Sequence, residues 1–72
     1  MKIKSNLKQL LDDRNISIRE LERRTDLKFE TLRRLYHDDS KQYHKETIAR
    51  VCTVLDCRVD ELLLLVDDDN PQ

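Results

Sequence analysis

The chain has 72 residues, of which 40 % are charged, 4 % are aromatic and none is glycine, and its formal net charge is −1. A chain this short makes one small domain that buries about 60 % of its unfolded surface, which leaves little core to give up for a deep catalytic cleft. Without glycine there is no Gly-rich phosphate loop, Asn-Gly hairpin or collagen-like repeat, and the one proline, Pro71, leaves the rest of the chain free to be helical.

The abundant residues are Leu, Arg, Lys, Glu and Asp, mostly strong helix formers, so the composition predicts an all-α fold. Ile3, Leu7, Leu10 and Leu11 follow helical spacing, which predicts a first helix capped by Ser5 or Asn6 and ending near Arg14-Asn15. Ser17 precedes Glu20 by three residues, the pattern of a capping box, and Ile16 and Leu21 stand at the positions of a hydrophobic staple. A short second helix from Ile18 to about Arg24 follows, interrupted by Thr25-Asp26. A third helix is predicted over Phe29 to Tyr36, with Leu32 and Leu35 as its inward stripe. His37 to His44 is unpatterned and reads as a loop. Ile48, Val51, Cys52 and Leu55 predict a fourth helix from Lys45 to Leu55, and a fifth is predicted from Val59 to Val66. Residues 1–66 then form the domain, and the acidic stretch 67–72 a disordered tail.

Charge is divided along the chain. Residues 1–37 carry ten Lys/Arg and six Asp/Glu, whereas residues 38–72 carry four and nine. That polarity suits a module with one face toward an anion. Cys52 and Cys57 match no zinc or redox spacing, and His37 and His44 lie in the unpatterned loop, so no metal or other cofactor is expected. No Ser/His/Asp or paired-carboxylate site is visible, so no enzyme is expected. The start Met1-Lys2-Ile3-Lys4-Ser5 lacks the apolar core of a signal peptide, and the run Leu62 to Val66 is too short for a membrane span. The expectation is a cytoplasmic chain with reduced thiols.

Two short helices joined by a tight turn, the second rich in arginine, describe a helix-turn-helix. In its residues the chain resembles the lambda-repressor/Cro-type (XRE-like) helix-turn-helix family, in its small stand-alone repressor subgroup. The likeness rests on Ile16-Ser17-Ile18-Arg19-Glu20-Leu21-Glu22-Arg23-Arg24-Thr25-Asp26-Leu27 with Thr31-Leu32-Arg33-Arg34-Leu35. It continues through Glu46-Thr47-Ile48-Ala49-Arg50-Val51-Cys52, Leu55-Asp56-Cys57 and Asp60-Glu61-Leu62-Leu63. The resemblance implies a five-helix lambda-repressor-like domain, its motif formed by helices two and three. It also implies binding to double-stranded operator DNA as a homodimer, in phage or bacterial transcription control.

By position, the resemblance puts the DNA-contacting residues at Lys28, Phe29, Glu30, Arg33 and Arg34, with Arg19 on the preceding helix. Arg34 can fork onto guanine N7 and O6, Glu30 can accept from cytosine N4, and Phe29 can touch a thymine methyl. Lys28 and Arg33 suit phosphate. Three positions depart from the family pattern. Glu22 stands where alanine is usual, Asp26 replaces the turn glycine, and Ile18 replaces a phosphate-contacting glutamine. Glu22 is therefore expected to be partly exposed and paired with Arg19 or Arg23. On the predicted fifth helix, Leu63, Leu64 and Leu65 cannot all be buried, and Leu64 is expected to be exposed, so this helix is the expected dimer interface. Another class of function fits the departures and the net charge, a helix-turn-helix fold that binds little DNA and modulates another regulator by protein–protein contact. A dimerising antitoxin would share the DNA face and add a protein partner.

Overall fold

The computed structural model describes residues 1–67. The elements in order are β1 (Lys2–Ser5), α1 (Leu7–Arg14), α2 (Ile18–Thr25), α3 (Phe29–Tyr36), α4 (Lys45–Leu55), α5 (Val59–Leu62) and β2 (Leu63–Val66). Apolar residues three and four apart bring one face of each helix into a single core: Leu7, Leu10, Leu11, Leu21, Leu32, Leu35, Ile48, Val51, Leu55 and Leu62. Leu7, Leu21, Leu32, Val51 and Leu62 are fully shielded from solvent. Each side chain of this kind contributes about 1.5–3 kcal/mol when buried.

The helix ends follow from short polar side chains. Ser17 Oγ accepts the Glu20 N–H at 3.1 Å and starts α2. The reciprocal half of the expected capping box is not made, because the Glu20 carboxylate turns to Arg23 and Arg24. Ahead of α1, Ser5 Oγ accepts the Leu7 N–H at 3.3 Å, while Asn6 Nδ2 donates across the chain to the Glu61 carbonyl at 3.0 Å. With no glycine to take left-handed backbone, α1, α2 and α4 stop at Asn15 (φ 56°), Asp26 (φ 59°) and Asp56 (φ 53°), and Asp38 (φ 58°) turns the chain after α3. Asn and Asp tolerate this region because their side chains bond locally.

The main departure from the sequence reading is a two-stranded antiparallel sheet, so the fold is all-α only approximately. Lys2 pairs with Val66, Ile3 with Leu65, Lys4 with Leu64 and Ser5 with Leu63. Ile3 is thus not on the first helix, and the fifth helix stops at Leu62 instead of running to Val66. A short aliphatic run has no periodicity to separate helix from strand, and the partner lies some sixty positions away at β1. Leaving the helix lets Leu62 stay buried while the backbone beyond it bonds to β1. The exposure expected for Leu64 is corrected in the same way: Leu64 is half-buried and Leu65 is 63 % exposed.

Cys52 and Cys57 are free thiols, half-buried against the core. Burial and the adjacent Cys52 push the Cys57 thiol up to about 11. Among the described residues, no group of three or more His, Cys, Asp or Glu is placed to hold a metal ion. No helix there is long and apolar enough to cross a membrane. Of the acidic stretch 67–72, residues 68–72 lie outside the described residues.

Candidate nucleic-acid interface

Helices α2 and α3 are held as a unit by the turn between them. Thr25 is buried, and its hydroxyl donates to the Leu21 carbonyl at 2.7 Å while accepting the Leu27 N–H at 3.3 Å. Asp26 closes the turn, its N–H donating to the Glu22 carbonyl at 2.9 Å. From α4, Arg50 donates to the Thr25 carbonyl at 3.3 Å, which satisfies an open carbonyl at the end of α2 and ties α4 to the motif. The sequence marks Thr25 as part of the Thr25-Asp26 interruption and Arg50 as part of the family likeness, but gives neither of them a bonding role. Thr25 is the last residue before a helix stop, and Arg50 is four positions after Glu46, to which it also bonds at 2.9 Å.

On α3 the inward stripe is Leu32 and Leu35, which leaves Glu30, Arg33 and Arg34 on other faces. Lys28 is the N-cap residue of α3; it is exposed, and its side chain has no partner among the described residues. Phe29 is half-buried, with the Arg19 guanidinium 3.9 Å above its ring centre, a cation–π contact that joins the two motif helices. Arg34 lines an open groove of about 470 Å³ with Thr31, Ser40, Lys41 and His44. The structure therefore brings Arg19, Lys28, Phe29, Glu30, Arg33 and Arg34 onto the α2–α3 unit. Leu63, Leu64 and Leu65 are not part of it; they form β2.

The electrostatics of this unit are unlike a bare basic stripe. Arg19 pairs with Glu22 at 3.3 Å, Arg23 and Arg24 both pair with Glu20, and Arg33 and Arg34 pair with Glu30 at 2.7 and 3.3 Å. Every arginine of α2 and α3 thus has a glutamate one helical turn away. Hydrogen bonds from Arg24 and then Arg23 hold the Glu20 carboxyl below its ordinary range, and Arg33, followed by Arg34, does the same to Glu30. Solvent-exposed pairs of this sort add little to stability. Their larger effect is on how freely the arginines can meet another anion.

Glu22, where a smaller residue was expected, is half-exposed and engages Arg19, as its charge requires. Glu22→Ala should change stability by no more than about 0.5 kcal/mol, because the lost exposed pair is offset by alanine's better helix propensity. A urea titration measures it, and a loss well above 1 kcal/mol would show that the carboxylate has a bonding role beyond Arg19.

The profile of the Cro/C1-type HTH DNA-binding domain matches residues 6–68. Comparison with curated proteins and with solved structures gave no match. The matched span takes in α1 through β2, and with it the Thr25–Asp26 turn and the whole α2–α3 unit. The chain belongs to the Cro/C1-type helix-turn-helix DNA-binding domain family.

Proposed function

We propose that this protein is a sequence-specific transcriptional regulator, a repressor of phage or bacterial type that binds operator DNA as a homodimer. The observation that carries the reading is the α2–α3 unit, with Lys28, Arg33 and Arg34 on surfaces that the core does not use. A helix of this kind enters the major groove, where Arg34 suits guanine N7 and O6 and Lys28 and Arg33 suit phosphate. Glu30 can accept from cytosine N4 once its arginines turn to the DNA. Phe29, anchored under Arg19, presents an apolar edge suited to a thymine methyl. The Leu63–Leu65 segment is the reading's dimer contact, now as a strand. Two copies would set their α3 helices about 34 Å apart along an inverted repeat.

A second reading, an interaction module that binds little DNA, draws support from the Glu20, Glu22 and Glu30 pairs, which lower the free positive charge of the motif. One experiment separates the two. A gel-shift titration against random-sequence duplexes at low and at physiological salt should show binding that weakens steeply with salt, as phosphate contacts release counterions. Lys28→Ala should weaken all sequences alike and flatten the log–log salt slope by about 1. Absence of binding at low salt would remove the DNA reading and leave the interaction module.

A further inference from the structure

Helix α4 stops in a way that brings the two cysteines of the chain together. The left-handed residue Asp56 donates its N–H to the Thr53 carbonyl at 3.3 Å, and the next residue, Cys57, donates to the Cys52 carbonyl at 3.0 Å. This pair of bonds folds the chain back over the last turn of the helix, where the side chains of the outer two residues commonly touch. Helix α1 shows the same stop in the same molecule. At the left-handed Asn15, its N–H donates to the Asp12 carbonyl at 3.2 Å and the Ile16 N–H to the Leu11 carbonyl at 2.9 Å, and Leu11 and Ile16 both pack in the core. Two aliphatic side chains fill the outer positions at α1, and two thiols fill them at α4.

The backbone bond between the two cysteines keeps their Cα atoms within about 7 Å of each other, which admits a disulfide. The two thiols interact directly, and both are half-buried, so solvent reaches them at the edge of the core. Arg14 donates to the adjoining Leu55 carbonyl at 3.0 Å and holds the same corner from α1. Their spacing matches no linear redox motif because the helix stop makes the contact, and a stop of this kind is not read from cysteine spacing.

We propose that Cys52 and Cys57 form a reversible disulfide within one chain, exchanged with small thiols and disulfides of the glutathione class. One cysteine, as its thiolate, attacks a sulfur of the small disulfide, expels one small thiolate and leaves a mixed disulfide. The second cysteine attacks the bonded cysteine sulfur, forms the Cys52–Cys57 bond and expels the second small thiol. The chain loses two electrons and two protons, and the small disulfide gains them. Burial first, and then the neighbouring Cys52, keep the proton on Cys57, so Cys52 makes the first attack and Cys57 resolves it. The bond spans the joint between α4 and the one-turn α5, which starts after Arg58. It includes no residue of the α2–α3 unit, so it stands apart from the DNA reading.

The test equilibrates the full chain with reduced and oxidised glutathione at a series of ratios, once in buffer and once in denaturing urea. Acid quenching and mass measurement then separate the reduced, mixed and bridged forms. In buffer the bridged form should exceed the mixed disulfide, run as a single chain on a non-reducing gel, and return to two thiols with dithiothreitol. The native chain should favour the bridge about tenfold or more over the urea-unfolded chain, and by linkage the bridge shifts the unfolding equilibrium toward the native state by the same factor. Cys57→Ser should stop at a lasting mixed disulfide on Cys52; if that variant fails to fold, the wild-type comparison decides alone. An equal tendency to bridge in buffer and in urea, a lasting mixed disulfide in the wild type, or bridges between chains instead of within one would overturn the proposal.

Discussion

Leu32→Ala should cost about 2–5 kcal/mol, the range for deleting a fully buried leucine whose cavity cannot collapse. Leu32 is completely shielded from solvent and stands on α3 between Glu30 and the two arginines. At roughly 0.05–0.15 kcal/mol per residue, a domain of this length has about 4–11 kcal/mol in total. The substitution therefore removes a large share of it and leaves a measurable unfolded fraction near 37 °C. Urea unfolding should show the midpoint falling with the slope unchanged. A loss under 1 kcal/mol would mean that α3 is not anchored through this side chain.

The second large effect falls on DNA. Arg33→Ala combined with Arg34→Ala should weaken binding to the preferred duplex by about 100- to 1,000-fold, since one base-reading arginine is worth about 1–3 kcal/mol and a phosphate contact is lost as well. The exposed side of α3 then changes sign, because Glu30 loses both of its partners and turns a bare carboxylate toward the phosphates. Adding Glu30→Gln to the double variant should recover part of the loss. Equal affinity of the double variant and the wild type would remove α3 as the reading helix. Failure of Glu30→Gln to recover anything would show that the carboxylate faces away from the duplex.

The helices were legible where a periodic stripe and a polar stop coincide. Ser17 before Ile18, the Leu32/Leu35 stripe, and Ile48, Val51 and Leu55 lead to α2, α3 and α4 with the observed limits, apart from one residue at the end of α2. Ile3 and the Leu62–Val66 run misled because their environment is set by each other across the whole chain, and neither is long enough to carry a period of its own. At the candidate interface, residue types and spacing pointed to the α2–α3 unit. The Glu20, Glu22 and Glu30 pairs were readable only in part. Residues three and four apart on a helix are within reach, but which of several arginines a glutamate selects is a matter of rotamers. The Thr25 bonds to Leu21 and Leu27 are local to the turn, whereas the Arg50 bond depends on α4 lying across the end of α2, a tertiary fact.

The left-handed residues Asn15, Asp26, Asp38 and Asp56 have a consequence for the denatured chain. A non-glycine residue in that conformation carries roughly 1–2 kcal/mol of native strain, reduced for Asn and Asp by their own hydrogen bonding. Glycine would relieve the strain, but each glycine would also widen the range of shapes open to the unfolded polypeptide, favouring it by about 0.4–1 kcal/mol. The two quantities are of similar size and opposite sign. A sequence wholly without glycine therefore begins folding from a stiffer, less populous ensemble, and gives up less disorder when its helices close.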